Sequence, residues 1–223
     1  AGVDAGKVHA LAAPENFVTK PCRGEYYLLD KSAGNTVGRV IFQCPTAAGK
    51  GVLVAPTVHG NLIVGPNAQD IPDAADTATT AMGLAQVAAS ARKSVPGVDL
   101  SACIRNFAGI RANTDRPDFV IQWAAPGFLD LAGMKSPGLS AAAAVGEEAA
   151  ALLQRAGLVL KDKPNPVTTR KRIRFKELPG EEKAAFIARE PSYGRVICRC
   201  ETVTEGEIIA PCHTPIPPRS IDG

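Results

Sequence analysis

No run of about eighteen apolar residues occurs in the chain, so no segment reads as a membrane-spanning helix. Neither sign of charge is in excess. The 25 Lys and Arg against 22 Asp and Glu leave +3, too little to argue for a nucleic-acid or membrane-surface partner. The opening Ala1-Gly2-Val3-Asp4 has no methionine, basic segment or apolar signal core, which suggests a piece of a longer protein. Also missing is a regular cysteine framework. Cys22, Cys44, Cys103, Cys198, Cys200 and Cys212 fall at irregular spacing, which argues against a secreted disulfide scaffold and for a reducing, cytoplasmic setting. What is present, 223 residues with 45% hydrophobic and 21% charged, is enough for a globular core in one or two domains.

From Gly24 the sequence has the texture of strands: Gly24–Asp30, Arg39–Gln43, Gly51–Pro56 and Asn61–Gly65, rich in β-branched and aromatic residues and separated by Gly, Pro, Asn or Ser. His59-Gly60-Asn61 fits a tight turn between the last two, so an antiparallel meander is expected. The period then becomes helical over Asp76–Ser94, with Ala78, Met82, Ala85 and Ala89 as the expected buried stripe, Asp76 as cap and Pro96-Gly97 as stop. Strands resume at Ala102–Ile110, Asp118–Trp123 and Phe128–Ala132. A helix opening at Ser136–Ser140 runs to Arg155 and ends at Gly157. Lys161–Lys176 carries seven basic residues against one acidic and reads as an exposed linker, with partner binding as the alternative. A short helix follows over Glu181–Arg189. These patterns predict an α+β fold with a mixed, largely antiparallel sheet flanked by helices. They divide the chain into residues 1–157, a basic linker and short helix over 158–190, and a terminal module over 191–223.

The stretch from Phe107 to Ala144 carries the clearest chemistry. Arg111 follows an apolar strand, and some twenty residues on, Gly133-Met-Lys-Ser-Pro-Gly-Leu-Ser140 puts backbone amides at a helix start. The first amides of a helix have no intrahelical partner and its dipole favours negative charge there, so the two features together suggest an anion site. Arg111 could equally pair with Asp115 or Asp118 at a strand end, and the glycine turn could simply open a packing helix. His59, by its ordinary pKa, is eligible as a base, though a turn-tip histidine is commonly a plain surface residue. Cys198 and Cys200 form a C-x-C pair able to donate two thiolates, and Cys212-His213 leaves a zinc site conceivable; two ordinary reduced thiols are the alternative.

These residues resemble a family. Gly109-Ile-Arg111, Asp118-Phe-Val-Ile121 and Gly133 to Ser140 are similar to the C-terminal half of FAD-dependent oxidoreductases related to D-amino-acid oxidase. Arg23-Gly-Glu-Tyr-Tyr-Leu-Leu-Asp-Lys31 and Gly51 to Pro66 resemble the subgroup of flavin-dependent glycerol-3-phosphate and L-2-hydroxyglutarate dehydrogenases. Gly194 to Glu207 resembles the opening of the small [2Fe-2S] module appended to some bacterial members. Ala1 to Asp4 resembles the end of the nucleotide domain's last strand, which implies that the G-x-G-x-x-G fingerprint lies upstream.

The resemblance implies an FAD cofactor, a small anionic substrate such as glycerol 3-phosphate or a 2-hydroxy acid, hydride transfer to the flavin, and onward passage of electrons to an unidentified acceptor. It implies that Arg111 binds the substrate anion; Arg23 and Tyr26 are candidates for the substrate side, and His59, on its residue type alone, is the catalytic candidate. Gly2, Gly109, Gly133, Ser136, Pro137, Gly138, Leu139 and Ser140 would border the flavin, while Cys198 and Cys200 would ligate iron. Because successive strand residues face opposite sides, only one of Tyr26 and Tyr27 can face the substrate. An amino-acid oxidase or dehydrogenase of the same superfamily is the alternative enzyme. A subunit that relies on a separate FAD-binding protein is the alternative outside catalysis.

Overall fold

The computed structural model describes residues 2–44, 51–166, 168, 173–199, 201–214 and 217–220. It divides into two units, residues 1–160 and 161–223.

The first unit is organised on β1 (Thr19–Leu29), which pairs along its whole length with β6 (Cys103–Thr114), from Thr19 opposite Thr114 to Leu29 opposite Cys103. Its other edge is shared. β4 (Leu62–Gly65) takes Tyr27 to Leu29, and β5 (Gln69–Asp70) takes Cys22 and Arg23. Outside β4 lie β3 (Leu53–Pro56) and then β2 (Ile41–Phe42), and every pairing is antiparallel. β7 (Val120–Ala125) and β8 (Phe128–Ala132) form a separate hairpin. The α+β reading with a largely antiparallel sheet is therefore correct.

Alternation sorts β1 into two faces. Tyr27 and Leu29 join Val54, Leu62 and Val64 beneath α2 (Ala81–Ser94), whose Val87 and Ala91 close the core. A helix is present here, but its buried stripe is Gly83, Val87, Ala88 and Ala91, on roughly the opposite face from the expected one: Ala78, Met82, Ala85 and Ala89 are all exposed, Met82 by 73%. The cap is Thr80, whose side chain accepts the Gly83 N–H at 3.0 Å, rather than Asp76. Electrostatics decide this register. Glu25, wholly buried on β1, accepts the Thr80 N–H at 2.7 Å and its hydroxyl at 3.0 Å, so the helix start is pinned to the sheet by a buried carboxylate. Asp76 is instead 2.6 Å from Arg23.

β6 is longer than expected. It continues through Arg111 to Thr114, because β1 begins at Thr19 and supplies partners that far. The N-terminal segment, which has no pattern of its own, forms a short helix, α1 (Ala5–His9), and His9 is buried against β8 through Asp130. α3 (Gly138–Arg155) ends where expected, with Gly157 at φ +94° just beyond it.

The second unit contains α4 (Gly180–Arg189), a hairpin of β9 (Val196–Cys198) and β10 (Val203–Thr204), and α5 (Glu205–Cys212). Its centre is aromatic. Phe175, Phe186 and Tyr193 meet with ring centroids 4.6 to 6.3 Å apart, and Arg189 stacks over Phe186 at 4.5 Å. Phe175, inside the stretch read as exposed linker, is thus a core residue of this unit. No helix among the described residues is long and apolar enough to cross a membrane.

Candidate functional site

On the face of β1 away from α2, three cross-strand pairs line up: Cys22 with Arg111, Gly24 with Gly109, and Tyr26 with Phe107. The aromatic pair stacks at 5.1 Å with an interplanar angle of 9°. The glycine pair leaves a bare strip beside it, and the Arg111 guanidinium lies over Gly24. A Cβ at Gly24 would come within 2.6 Å of Arg111 Nη2 and 2.8 Å of Pro66 Cβ, so the close approach depends on glycine there. A Cβ at Gly109 would meet open space.

Arg111 is half-buried. Its Nη2 donates to the Asn67 carbonyl at 3.0 Å and its Nη1 to Cys22 Sγ at 3.5 Å. Burial pushes the Tyr26 hydroxyl pKa up, and the Arg111 guanidinium beside it opposes the shift. The hydroxyl therefore stays protonated at neutral pH and available as a donor. Tyr27 points the other way, into the core.

Arg111 borders a cavity of about 650 Å³. The turn from Met134 to Ser140 at the start of α3 lines the same cavity, with Gly2, Val3, Thr77, Ile110 and Ala112. Gly133 makes the turn possible at φ +65°, a left-handed conformation that side chains disfavour. No side chain caps α3; its first amide, Gly138 N–H, donates to the Lys135 carbonyl at 2.6 Å, and the next amides of the first turn are the ones a ligand can take. Leu139 is 95% exposed here. Lys135 lines the same cavity, and none of the described lining residues is acidic.

Of the residues singled out in the sequence, the structure brings Arg111, Gly2, Ser136, Pro137, Gly138, Leu139 and Ser140 to one cavity. Tyr26 stands beside Arg111, and Gly109 lies on the strand that carries it. Arg23 is not among the lining residues. It is only 3% exposed, on the core face, held by Asp76, by Gln69 Oε1 at 3.0 Å and by Glu25 at 3.4 Å. His59 sits exposed at the tip of the β3–β4 hairpin, also outside the lining. Cys198 is at the end of β9 in the second unit, Cys200 lies outside the described residues, and no group of three or more possible metal ligands occurs among the described residues.

Lys135 and Thr77 were missed from sequence: a lysine inside a glycine turn has no periodicity to mark it, and Thr77 reaches the cavity only through the loop preceding α2.

Residues 1–152 match the family described as FAD dependent oxidoreductase. The chain belongs to that family. It is 44% identical over 225 residues to glycerol 3-phosphate dehydrogenase of Caloramator mitchellensis, an alignment that covers 100% of this chain and 47% of the relative. It is 37% identical over 155 residues to glycerol 3-phosphate oxidase of Mycoplasma genitalium, covering 68% of this chain and 40% of that protein. The chain thus spans about half the length of the curated relatives it matches. Among solved structures it resembles dithionite-reduced L-alpha-glycerophosphate oxidase from Mycoplasma pneumoniae with FAD bound, at TM-score 0.64 and 35% identity, over 74% of this chain and 43% of that one. Glycine oxidase from Bacillus cereus, at TM-score 0.52 and 14% identity, shares the fold.

The residues present are compatible with an anionic group: the cavity holds the α3 start, which no side chain caps, and the cation Arg111, while a Cβ at the neighbouring Gly109 would meet open space.

Proposed function

We propose that the whole protein oxidises a small anionic alcohol, glycerol 3-phosphate before a 2-hydroxy acid, with FAD as the electron acceptor. The observation that carries this is that Arg111 and the start of α3, which no side chain caps, line one cavity. FAD, when bound, would accept the hydride from the alcohol carbon as it becomes a ketone, the hydroxyl proton passing to solvent. This chain's residues bind and orient the substrate. Arg111 offers a planar fork of N–H donors to the substrate anion, and the Tyr26 hydroxyl remains beside it as a neutral donor. Residues Gly2 and Gly133 to Ser140 border the flavin position, where the α3 amides and dipole favour negative charge.

Two cations and no acid among the described lining residues favour a doubly charged phosphate over a carboxylate. The relatives named for glycerol 3-phosphate support the same choice, as against an amino-acid oxidase.

Steady-state oxidation of glycerol 3-phosphate by the FAD-loaded protein, with lactate and glycine as comparison substrates, is the test. Equal or better turnover of either comparison substrate would overturn the phosphate assignment.

For the second unit, we infer that Cys198 and Cys200 are two of the four thiolates of a [2Fe-2S] cluster, on the resemblance of Gly194 to Glu207 to such a module. The described residues hold no group of three or more possible ligands, so the reading requires two further thiolates. Iron and acid-labile sulfide assayed on the purified protein test it, and their absence after anaerobic reconstitution would refute it.

A further inference from the structure

We propose that Asn67 is a positioning residue for Arg111, fixing the direction in which the guanidinium presents its remaining N–H groups to an anion. The inference rests on the reading of Arg111 as the anion anchor. On the edge of β1 opposite β6, β5 covers Cys22 and Arg23 and β4 covers Tyr27 to Leu29, so the middle of the strand, Gly24 to Tyr26, has no strand beside it. Asn67, in the short link between β4 and β5, fills that gap. Its Oδ1 accepts the Glu25 N–H at 2.8 Å, taking the place of a strand carbonyl. Its own backbone carbonyl then accepts Arg111 Nη2 at 3.0 Å. One residue therefore ties the central strand to the anion-binding side chain.

The fit around this link is tight. Gly24 leaves the space through which Arg111 reaches Asn67, with Pro66 on the other side of it. Asn67 is only 5% exposed, and its Nδ2 is buried without a partner. A buried donor left unsatisfied among the described residues is a cost that an apolar residue would avoid, and what the Asn67 side chain offers against it is the Oδ1 acceptor that holds the Glu25 N–H and with it the carbonyl that Arg111 meets. The second hold, Arg111 Nη1 on Cys22 Sγ at 3.5 Å, is a weak bond to sulfur and cannot by itself fix the fork.

A double-mutant cycle in the FAD-loaded protein tests this. Asn67→Ala is expected to raise KM for glycerol 3-phosphate about tenfold while changing kcat less than about threefold, and to add nothing further when Arg111 is already Ala. If Arg111→Ala raises KM and Asn67→Ala does not, or if the two effects simply add, the positioning role is overturned while the anchor reading stands. If Arg111→Ala leaves KM unchanged, the anchor reading is what fails, and a second measurement still decides the positioning. In the FAD-loaded protein labelled with 15N-arginine, a held Arg111 gives separate Nη resonances that merge in Asn67→Ala. Merged Arg111 Nη resonances in the unsubstituted chain would overturn the proposal even if the variant does not fold.

Discussion

Gly24 and Gly109 stand directly opposite one another on β1 and β6, yet only one of them is crowded. The Arg111 guanidinium and the Pro66 ring close over Gly24, whereas Gly109 faces open space. Gly24→Ala should therefore cost about 1–3 kcal/mol, the usual penalty of overpacking, and should displace Arg111. Gly109→Ala should change stability by no more than about 0.5 kcal/mol. If the open strip is where a flavin ring lies, Gly109→Ala should nonetheless lower FAD retention. Urea denaturation and flavin absorbance after desalting measure the two effects separately.

Arg23 belongs to a buried chain of charge that runs Asp76–Arg23–Glu25–Thr80 and ends at the start of α2. Removing the cation leaves the buried Glu25 carboxylate without its counter-charge, a loss of about 3–5 kcal/mol when one partner of a buried pair is deleted. Arg23→Ala should accordingly lower the denaturation midpoint strongly. A direct role in substrate binding would instead appear as a raised KM in a variant that is fully stable, so thermal melts and KM measured on the same preparation separate the two.

Periodicity carried most of the architecture. The strands, α2, α3 and the turn at Gly133 are legible because apolar spacing, glycine and proline mark them in the sequence, but the simple meander expected is not what forms: β1 pairs with β4, β5 and β6 instead of β2, giving the order β2-β3-β4-β1-β5. What periodicity could not carry were contacts between polar residues distant in the chain. The α2 register follows from Glu25 reaching Thr80, fifty-five residues away, and not from the helix's own pattern. His9 was illegible for the same reason, since its partner Asp130 is 121 residues away. At the site, the nearness of Arg111 to the α3 start was readable, but Arg111's place inside β6 was not, because it depends on how far β1 extends. Lys135 emerges only when the cavity wall is traced.

Lys135 shares the cavity with Arg111 and makes no hydrogen bond or ion pair of its side chain among the described residues. A second cation matters more to a doubly charged ligand than to a singly charged one. Lys135→Gln should weaken competitive inhibition by inorganic phosphate about three- to tenfold, the range expected when a charge-assisted hydrogen bond is lost, and inhibition by acetate by less. Equal weakening for both anions would mean that Lys135 contributes only general field.

The buried His9 ring has acceptors on both nitrogens: Asp130 Oδ2 at 2.6 Å from Nδ1 and the Pro14 carbonyl at 2.9 Å from Nε2. Two acceptors call for two N–H donors, which is the imidazolium form. The Pro14 carbonyl and then Asp130 hold the His9 pKa above its ordinary value, with Glu15 adding a smaller attraction, while burial opposes the shift. The sign follows from proton binding. Where the folded pKa is raised, the folded state holds a proton that the unfolded state has released, so stability falls as pH rises. The contribution is complete below about pH 6.5, the ordinary value for histidine, and disappears as the pH passes through the raised folded value. Melting temperatures taken from pH 5.5 to 9 should decline through that window and flatten in His9→Gln. A decline of the same size in the variant would assign the pH dependence to another group.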